Sequence, residues 1–276
     1  MFKTASMVGA PDLETPTLAP YSADLETAFQ KLHHLGYDGV ELMIRRPSRL
    51  DPQQLAASLR ANHLELVSLC TGHVFGEEGL GLLLPDLTIN PLAVDRLKEF
   101  IDYSADHFES KAMVNIGRSR GVGNPADLPH TLEVAREAIR ELADYALPKN
   151  VRLILEPISR LEVNYIHSTE DGLALARLVD RSNFGLMVDT YHMALEDADL
   201  FQSFYSAASY IWHVHFSDSN RCYPGSGEID FDRVLRVLED IHYTGYLSVE
   251  IKPWPDPDTA AQRSIETMHR VVSPGN

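Results

Sequence analysis

The feature that most constrains this fold is an alternation between short apolar runs and longer amphipathic runs, repeated over nearly the whole chain. Such alternation is typical of βα units built around a parallel sheet. Most of the apolar runs are aliphatic or β-branched, which suits strands buried on both faces. The predicted strands span residues 3–8, 39–43, 64–69, 112–116, 151–155, 184–188, 210–216 and 246–251. Eight such units predict a closed α/β barrel, the (β/α)8 or TIM barrel.

The amphipathic runs predict the helices that surround this barrel. They span residues 23–35, 52–62, 91–108, 128–146, 169–179, 200–208, 231–241 and 258–272. Two of the starts carry a clear signal, because Asp51 precedes Pro52 and Asn90 precedes Pro91. In each pair a capping side chain stands before a proline at the first helical position.

Length and composition restrict the class of protein. The 276 residues, 44% of them hydrophobic, suffice for one large core, so we expect a single domain over residues 1–276.

The net charge of −16 argues against binding to nucleic acid, because proteins bind nucleic acid through Lys and Arg. Cys70 and Cys222 are too far apart for a CxxC motif and predict free thiols in a reducing compartment. No apolar run resembles a signal peptide or a membrane span, so we expect a soluble, cytoplasmic protein without a membrane partner.

Four successive strands in the second half end in a residue that can bind a metal ion. These residues are Glu156, Asp189, His215 and Glu250. The carboxyl ends of barrel strands meet at one rim, where such barrels hold their chemistry. One such residue alone could be a helix cap or an ion-pair partner, but four at the same strand position predict a divalent-metal site. Three carboxylates and one imidazole fit Mn²⁺ best, and Mg²⁺ or Co²⁺ could substitute.

Other polar residues lie close to these strand ends. Glu162, His192 and Arg221 each follow a proposed ligand by six residues or fewer and could reach a substrate held on the metal. They could equally form ion pairs or hydrogen bonds that fix the rim loops. His213 shares a strand face with His215, which favours a hydrogen-bonded interior histidine over a fifth ligand. Glu41 ends the second strand and could support a ligand or contact the substrate.

Three segments near the rim are predicted to be loops. Residues 70–89 and 117–129 are rich in Gly and Pro and follow strands, so we expect long loops that could cover a substrate. The turn at residues 224–227 follows the seventh strand. It could bring backbone amides close to a substrate or an anion, or it could be a tight connection to the next helix.

Several segments resemble a known family. LILEPISRLE, MVDTYHM, HVHFSDSNRCYPGSGEIDF and GYLSVEIKPWPD are similar to segments of the sugar isomerase/epimerase family with the xylose-isomerase-like barrel. The resemblance is greatest to ketose 3-epimerases of the D-tagatose/D-psicose 3-epimerase type. It is most specific over residues 151–256, and earlier it rests on the βα rhythm and short pieces such as GYDGVEL.

The resemblance implies a role for each candidate residue. One manganese-like ion would be bound by Glu156, Asp189, His215 and Glu250. Glu156 and Glu250 would also exchange protons with the substrate, and the O1 and O2 end of the sugar would be held by Glu162, His192 and Arg221. The partner is thus a small sugar, and a homo-oligomer, dimer or tetramer, is a further expectation from the family.

The implied reaction inverts C3 of a ketose. Removing a proton beside a carbonyl is slow because the resulting enediolate is unstable in water, and a cation bridging its two oxygens stabilises that charge. We expect Glu156 and Glu250 on opposite faces of the ketose, one as base and the other as acid.

Other functions stay open from the sequence. An aldose–ketose isomerase of the hydroxypyruvate or xylose type could use the same residues, and an inosose dehydratase or isomerase also begins with proton abstraction beside a carbonyl. An AP-endonuclease-like DNA repair enzyme would need additional histidines, which residues 219–223 lack. A non-catalytic sugar-binding or regulatory protein with the same barrel is a further alternative, and the presence of both glutamates argues against it. The set of Glu162, His192 and Arg221 favours the epimerase.

Overall fold

The computed structural model describes residues 2–15 and 17–270, and these form a closed parallel barrel. Its strands are β1 (Lys3–Gly9), β2 (Gly39–Met43), β3 (Glu65–Cys70), β4 (Met113–Asn115), β5 (Leu153–Leu155), β6 (Phe184–Asp189), β7 (Ile211–His215) and β8 (Tyr246–Val249). Each strand pairs in parallel with the next, and β8 pairs with β1 to close the ring. The predicted fold class, a single TIM barrel domain, is confirmed.

Ten helices surround the barrel in the described part of the chain. They are α1 (Leu25–Leu35), α2 (Pro52–Ala61), α3 (Gly72–Glu78), α4 (Pro91–His107), α5 (Leu128–Ala146), α6 (Thr169–Val179), α7 (Thr190–Glu196), α8 (Leu200–Ala207), α9 (Phe231–Asp240) and α10 (Pro257–Met268). Over the residues described, none of these helices is both long and apolar enough to cross a bilayer.

The predicted helix boundaries are close to those observed, with two differences. The helices α3 and α7 were not predicted, so the expectation of a loop throughout residues 70–89 was wrong over residues 72–78. The last helix was predicted to reach residue 272, but residues 271 and 272 lie outside the described part.

The two predicted capping signals are present in the structure. The Asp51 side chain accepts hydrogen bonds from the backbone amides at the start of α2, and the Asn90 side chain accepts one from Leu92 at the start of α4. Both side chains satisfy amides that have no partner within the helix, which fixes where each helix begins. The proline that follows each cap has no amide hydrogen to leave unpaired.

The inside of the barrel changes from apolar to polar along the strands. Ile154 and Met187 belong to a small apolar cluster with residues from other strands. Two residues further along the same strands, and therefore on the same inward face, stand Glu156 and Asp189. An apolar layer thus lies beneath a polar group at the carboxyl ends of the strands, which is the end where barrels of this kind hold their functional residues.

Candidate active site

The four proposed metal ligands lie together at the carboxyl ends of β5 to β8. One ligand atom from each of Glu156, Asp189, His215 and Glu250 lies within 4.8 Å of the other three. The His215 Nδ1 atom is 3.7 Å from Glu156 Oε1, 3.9 Å from Asp189 Oδ2 and 3.7 Å from Glu250 Oε2. All four residues are buried. The barrel therefore brings together the residues that the sequence singled out.

This group of atoms fits a divalent cation. His215 Nδ1 and Glu156 Oε1 are buried, and neither has a hydrogen-bond partner among the described residues. Leaving buried polar atoms without a partner is costly, whereas a cation between them would use both as ligands. Carboxylate oxygens with one imidazole nitrogen are a common ligand set for manganese-like ions.

Glu41 is the middle residue of β2, so the prediction that it ends the strand was wrong. From this position it contacts His215. His215 Nε2 is 2.9 Å from Glu41 Oε1, and His213 Nε2 is 2.6 Å from the same oxygen. Burial by itself would lower the pKa of His215, but the nearby carboxylates outweigh it and raise the pKa well above its ordinary value, so the ring would have to lose its Nδ1 proton on binding a cation. With Nε2 donating its hydrogen to Glu41, the Nδ1 lone pair would then face the three carboxylates, as a metal-binding histidine requires. His213 is thus a hydrogen-bonded interior histidine. Glu41 does not line the cavity described below, which favours support of His215 over contact with a substrate.

Glu41 is negatively charged in this arrangement. Burial by itself would raise the pKa of Glu41, but His213 and His215 outweigh it and hold the pKa well below its ordinary value. Glu41 is therefore an anion at neutral pH. A carboxylate anion is a stronger hydrogen-bond acceptor than a neutral acid, so it holds both imidazoles firmly.

The environments of the two candidate catalytic glutamates differ. Burial, together with the charges of Glu250 and Asp189, raises the pKa of Glu156 well above its ordinary value. Burial also acts to raise the pKa of Glu250, but Arg221 and His215 outweigh it and lower that pKa. Two neighbouring carboxyl groups whose pKa values are pushed apart are suited to acid and base roles.

Arg221 lies inside the site. Its Nη1 atom is 2.5 Å from Asp189 Oδ2 and its Nη2 atom is 2.5 Å from Glu250 Oε2, while its guanidinium stacks on the ring of Tyr191. The backbone of Arg221 has a φ of 62°, a left-handed conformation that is uncommon for a residue other than glycine. Strained backbone of this kind persists where the surroundings hold it, often at functional sites.

The loop after β7 holds Arg221 in this position. The fully buried Asp218 accepts hydrogen bonds from the backbone amides of Gly225 and Gly227, each at 2.8 Å. These amides belong to the turn at residues 224–227. Because they already bind Asp218, the turn is a tight connection and not an anion site.

His192 and Glu162 lie beside the proposed metal ligands. The Ser159 amide donates to His192 Nδ1 at 3.2 Å, so the ring carries its hydrogen on Nε2, which is 4.0 Å from Glu162 Oε1. Burial, with the charges of Arg221 and His215, holds the pKa of His192 well below its ordinary value. His192 is therefore neutral and can donate one hydrogen bond from Nε2. Glu162 is partly exposed and can accept one.

A cavity opens above this group of residues. Five of the predicted residues line it, namely Glu156, Glu162, His192, Arg221 and Glu250. The cavity is also lined by residues that the sequence did not single out, namely His73, Gly76, Glu77, Asn115 and Arg118. The first three come from α3, Asn115 ends β4 and Arg118 follows it, so the two predicted rim loops do face the cavity.

Comparison with known proteins agrees with the fold. Residues 29–271 match the model of the xylose isomerase-like TIM barrel family, and the chain belongs to that family. It is similar to D-psicose 3-epimerase of Ruminiclostridium cellulolyticum, with 26% identity over 264 residues that cover 89% of this chain and 88% of that protein. It is also similar to hydroxypyruvate isomerase of Escherichia coli, with 27% identity over 256 residues that cover 85% of this chain and 93% of that protein.

Solved structures show the same barrel. The D-allulose 3-epimerase from Methylomonas sp. in complex with D-allulose has a TM-score of 0.78 to this chain at 22% identity, with 97% of each chain covered. At 22% identity, the similarity to this structure shows the fold alone. With relatives that are epimerases and isomerases, the chain is assigned to the isomerase and epimerase enzymes of the family.

Proposed function

We propose that this protein is a divalent-metal-dependent epimerase that inverts C3 of a ketose. One observation carries the proposal: Glu156 and Glu250 face a single cavity, and the Nδ1 atom of His215 lies 3.7 Å from a carboxylate oxygen of each. The similarity to D-psicose 3-epimerase supports the choice of a ketose and of C3.

In this proposal the metal site consists of Glu156, Asp189, His215 and Glu250, and Mn²⁺ is the preferred ion, with Mg²⁺ or Co²⁺ as substitutes. When bound, the cation supplies the positive charge that stabilises negative charge developing on two neighbouring oxygens of the sugar. Asp189 and His215 do not line the cavity, so their role is to hold the ion.

The two glutamates move the proton. They come from β5 and β8, with β6 and β7 between them, and so approach a bound sugar from two sides. One carboxylate removes the proton from C3 on one face, and the other carboxylic acid gives a proton to the opposite face. The sugar gains one proton for the one it loses, and only the configuration at C3 changes.

The remaining polar residues orient the sugar. His192 donates from Nε2, Glu162 accepts from a hydroxyl, and Arg221 donates to the oxygens near C1 and C2. Fixing these oxygens keeps C3 between the two carboxyl groups. Such positioning contributes much of the rate in reactions that transfer a proton.

A second candidate is an aldose–ketose isomerase, which the similarity to hydroxypyruvate isomerase favours. The same residues would then move a proton between C1 and C2. The two reactions differ in which carbon lies between Glu156 and Glu250.

The proposal includes the wider properties of the protein. We propose that residues 1–276 form one domain that acts in the cytoplasm on a small sugar, as a homo-oligomer and without nucleic acid. The net charge of −16 supports the last point, because it would repel a polyphosphate.

Replacing either glutamate tests the proposal. Glu156→Gln and Glu250→Gln keep the shape of the side chain and one oxygen ligand, but remove the group that exchanges a proton. We expect kcat for C3 epimer formation from D-fructose, D-tagatose or D-ribulose with Mn²⁺ to fall by about 10² to 10⁴-fold. Bound metal is measured in the same samples, so that loss of the ion is distinguished from loss of the carboxyl group.

The exposed residue Glu239 supplies the control. Glu239→Gln should retain wild-type activity. If Glu156→Gln or Glu250→Gln with bound metal keeps more than about a tenth of the activity, that carboxylate does not transfer the proton.

A further inference from the structure

Two arginines that follow β4, Arg118 and Arg120, differ in their hydrogen-bond partners. Arg120 is buried, and its guanidinium donates to the backbone carbonyls of Gly117, Glu156, Tyr165 and Ile166 at 2.9 to 3.0 Å. The guanidinium of Arg120 thus links the segments that follow β4 and β5. Arg118, two residues earlier, lines the cavity instead.

Arg118 has no partner in the described part of the chain. Its Nε atom is buried without a hydrogen-bond acceptor, and its terminal nitrogens form no hydrogen bond or ion pair with any residue described. A guanidinium keeps its charge in any environment, and the terminal nitrogens of Arg118 can donate hydrogen bonds to a ligand in the cavity. Arg221, the other arginine of the cavity, pairs with two carboxylates.

The acidic residue on the same wall is not available to Arg118. Glu77 Oε1 accepts hydrogen bonds from the amides of Glu14 and Thr15 at 3.0 and 3.2 Å, and Glu77 Oε2 is 3.1 Å from Arg45 Nη1. Its charge is therefore already compensated. Within a chain of net charge −16, the protein supplies carboxylates to its other cavity arginine but none to Arg118.

The guanidinium of Arg118 lies beside α3. A Cβ atom at Gly76, on α3, would lie 3.5 Å from Arg118 Nη1, so the guanidinium rests against the α3 wall of the cavity. Glycine at position 76 leaves the space above the guanidinium open. A sugar whose C1 to C3 end lies between Glu156 and Glu250 would extend its other end across the same cavity.

From this arrangement we propose that Arg118 binds a negatively charged group, a carboxylate or a phosphate, at the end of the ketose remote from the metal centre. An acidic ketose is then preferred over a neutral one. Guanidinium groups pair with carboxylates and phosphates through two parallel hydrogen bonds, which gives both affinity and orientation. The inference rests on the proposed epimerase function for the placement of the sugar.

Three ketoses that differ only at C6 test it. D-Fructose is neutral, D-fructuronate carries a carboxylate and D-fructose 6-phosphate carries a phosphate. With the Mn²⁺-loaded protein we expect kcat/KM for one of the two anionic sugars to exceed that for D-fructose by about tenfold or more, and the better of the two identifies the anion. In Arg118→Gln this preference should be lost, and in Arg118→Lys it should be partly retained, because Lys keeps the charge but not the paired hydrogen bonds.

Arg60→Gln is the matched control, since Arg60 is exposed on α2 and the same charge is removed. It should preserve the preference for the anionic sugar. A wild-type preference for D-fructose would overturn the proposal. So would an Arg118→Gln variant that loses activity toward all three sugars in equal proportion, because that result indicates a general structural role.

Calorimetric binding of the same three sugars separates this inference from the proposed function. If no sugar is epimerised but an anionic ketose binds about tenfold tighter than D-fructose, and Arg118→Gln removes the difference, then the epimerase proposal fails and the anion site remains. Equal affinities for the neutral and anionic sugars would overturn the anion site whatever the activity.

Discussion

At the scale of single residues, the contact between Glu41 and His215 is the one that the sequence could not reveal. The two residues are 174 positions apart and meet only because β2 and β7 face each other across the barrel. The local sequence pattern does show that Glu41 and His215 each lie in a strand or at its end and point inward. It cannot show which inward residues from distant strands touch, because that depends on the tilt and register of the closed barrel.

Removing the Glu41 carboxylate should weaken metal binding without removing a ligand. In Glu41→Ala, His215 loses the partner that keeps Nδ1 directed at Glu156, Asp189 and Glu250. We expect the Kd for Mn²⁺, measured by competition with a fluorescent chelator, to rise by about 10- to 100-fold.

Glu41→Gln is a milder variant that keeps an acceptor oxygen and guards against misfolding. It should bind Mn²⁺ with an affinity between those of the wild type and Glu41→Ala. The exposed Glu65 of β3 provides a control, and Glu65→Gln should leave the affinity unchanged. If folded Glu41→Ala binds Mn²⁺ as tightly as the wild type, packing alone orients His215.

The four candidate metal ligands were easier to predict than the contact between Glu41 and His215. Glu156, Asp189, His215 and Glu250 each end an apolar run, and all barrel strands present their carboxyl ends at one rim. Their closeness in space follows from this common position. Their roles as metal ligands, and those of Glu162, His192 and Arg221 in binding the sugar, stay predictions until variants are measured.

At the scale of elements, the short helix α3 shows where sequence patterns fail. It has seven residues, two of which are the poor helix formers Gly72 and Gly76. Contacts from outside the helix stabilise it instead. Glu78 Oε1 is 2.6 Å from Arg46 Nε, and Glu78 Oε2 is 2.6 Å from Arg96 Nη1. A pattern-based prediction of a loop was wrong because tertiary contacts outweigh local propensity here.

The ion pairs of Glu78 should make stability depend on pH. Burial by itself would raise the pKa of Glu78, but hydrogen bonds from Arg46 and Arg96 outweigh it and lower the pKa. A lowered pKa means that the stabilisation is present above the pKa of the unfolded chain, about 4.3, and is lost as the pH falls through the lower value of the folded state. We expect Glu78→Gln to reduce the free energy of unfolding by about 2 kcal/mol at pH 7.

Urea denaturation of both proteins between pH 7 and pH 3.5 measures this effect. The difference between wild type and Glu78→Gln should be constant above about pH 5 and should shrink below about pH 4. Glu239→Gln, at an exposed position, should match the wild type throughout. A difference that does not change with pH would show that Glu78 acts through packing and not through its charge.

At the scale of the whole molecule, the barrel was predictable because its strands are buried on both faces. Such strands appear as continuous apolar runs, and eight of them separated by helix-length segments leave few alternatives to a closed parallel barrel. One short strand that lacks a continuous apolar run was not predicted. The two-residue strand Tyr21–Ser22 pairs with Val8 and Gly9 beyond the point where β8 ends, and nothing in two residues predicts a strand.

The shape of the cavity could not be predicted from the sequence either. The candidate catalytic residues in its lining follow the strongly apolar strands β5 to β8, but other lining residues come from α3 and the segment after β4. These two segments are irregular, and their positions depend on contacts such as the four hydrogen bonds from Arg120 to backbone carbonyls. For this reason the sequence predicts the type of chemistry better than the identity of the sugar.

The position at which the protein exchanges a carbon-bound proton tests the central claim most directly. The Mn²⁺-loaded protein is incubated in heavy water with D-fructose, D-fructuronate and D-fructose 6-phosphate, and deuterium incorporation is followed by NMR. The account predicts deuterium at C3 of at least one sugar together with formation of its C3 epimer, and no exchange in the chelated protein. Deuterium at C1 or C2 with formation of an aldose, or no exchange in the metal-loaded protein, would contradict it.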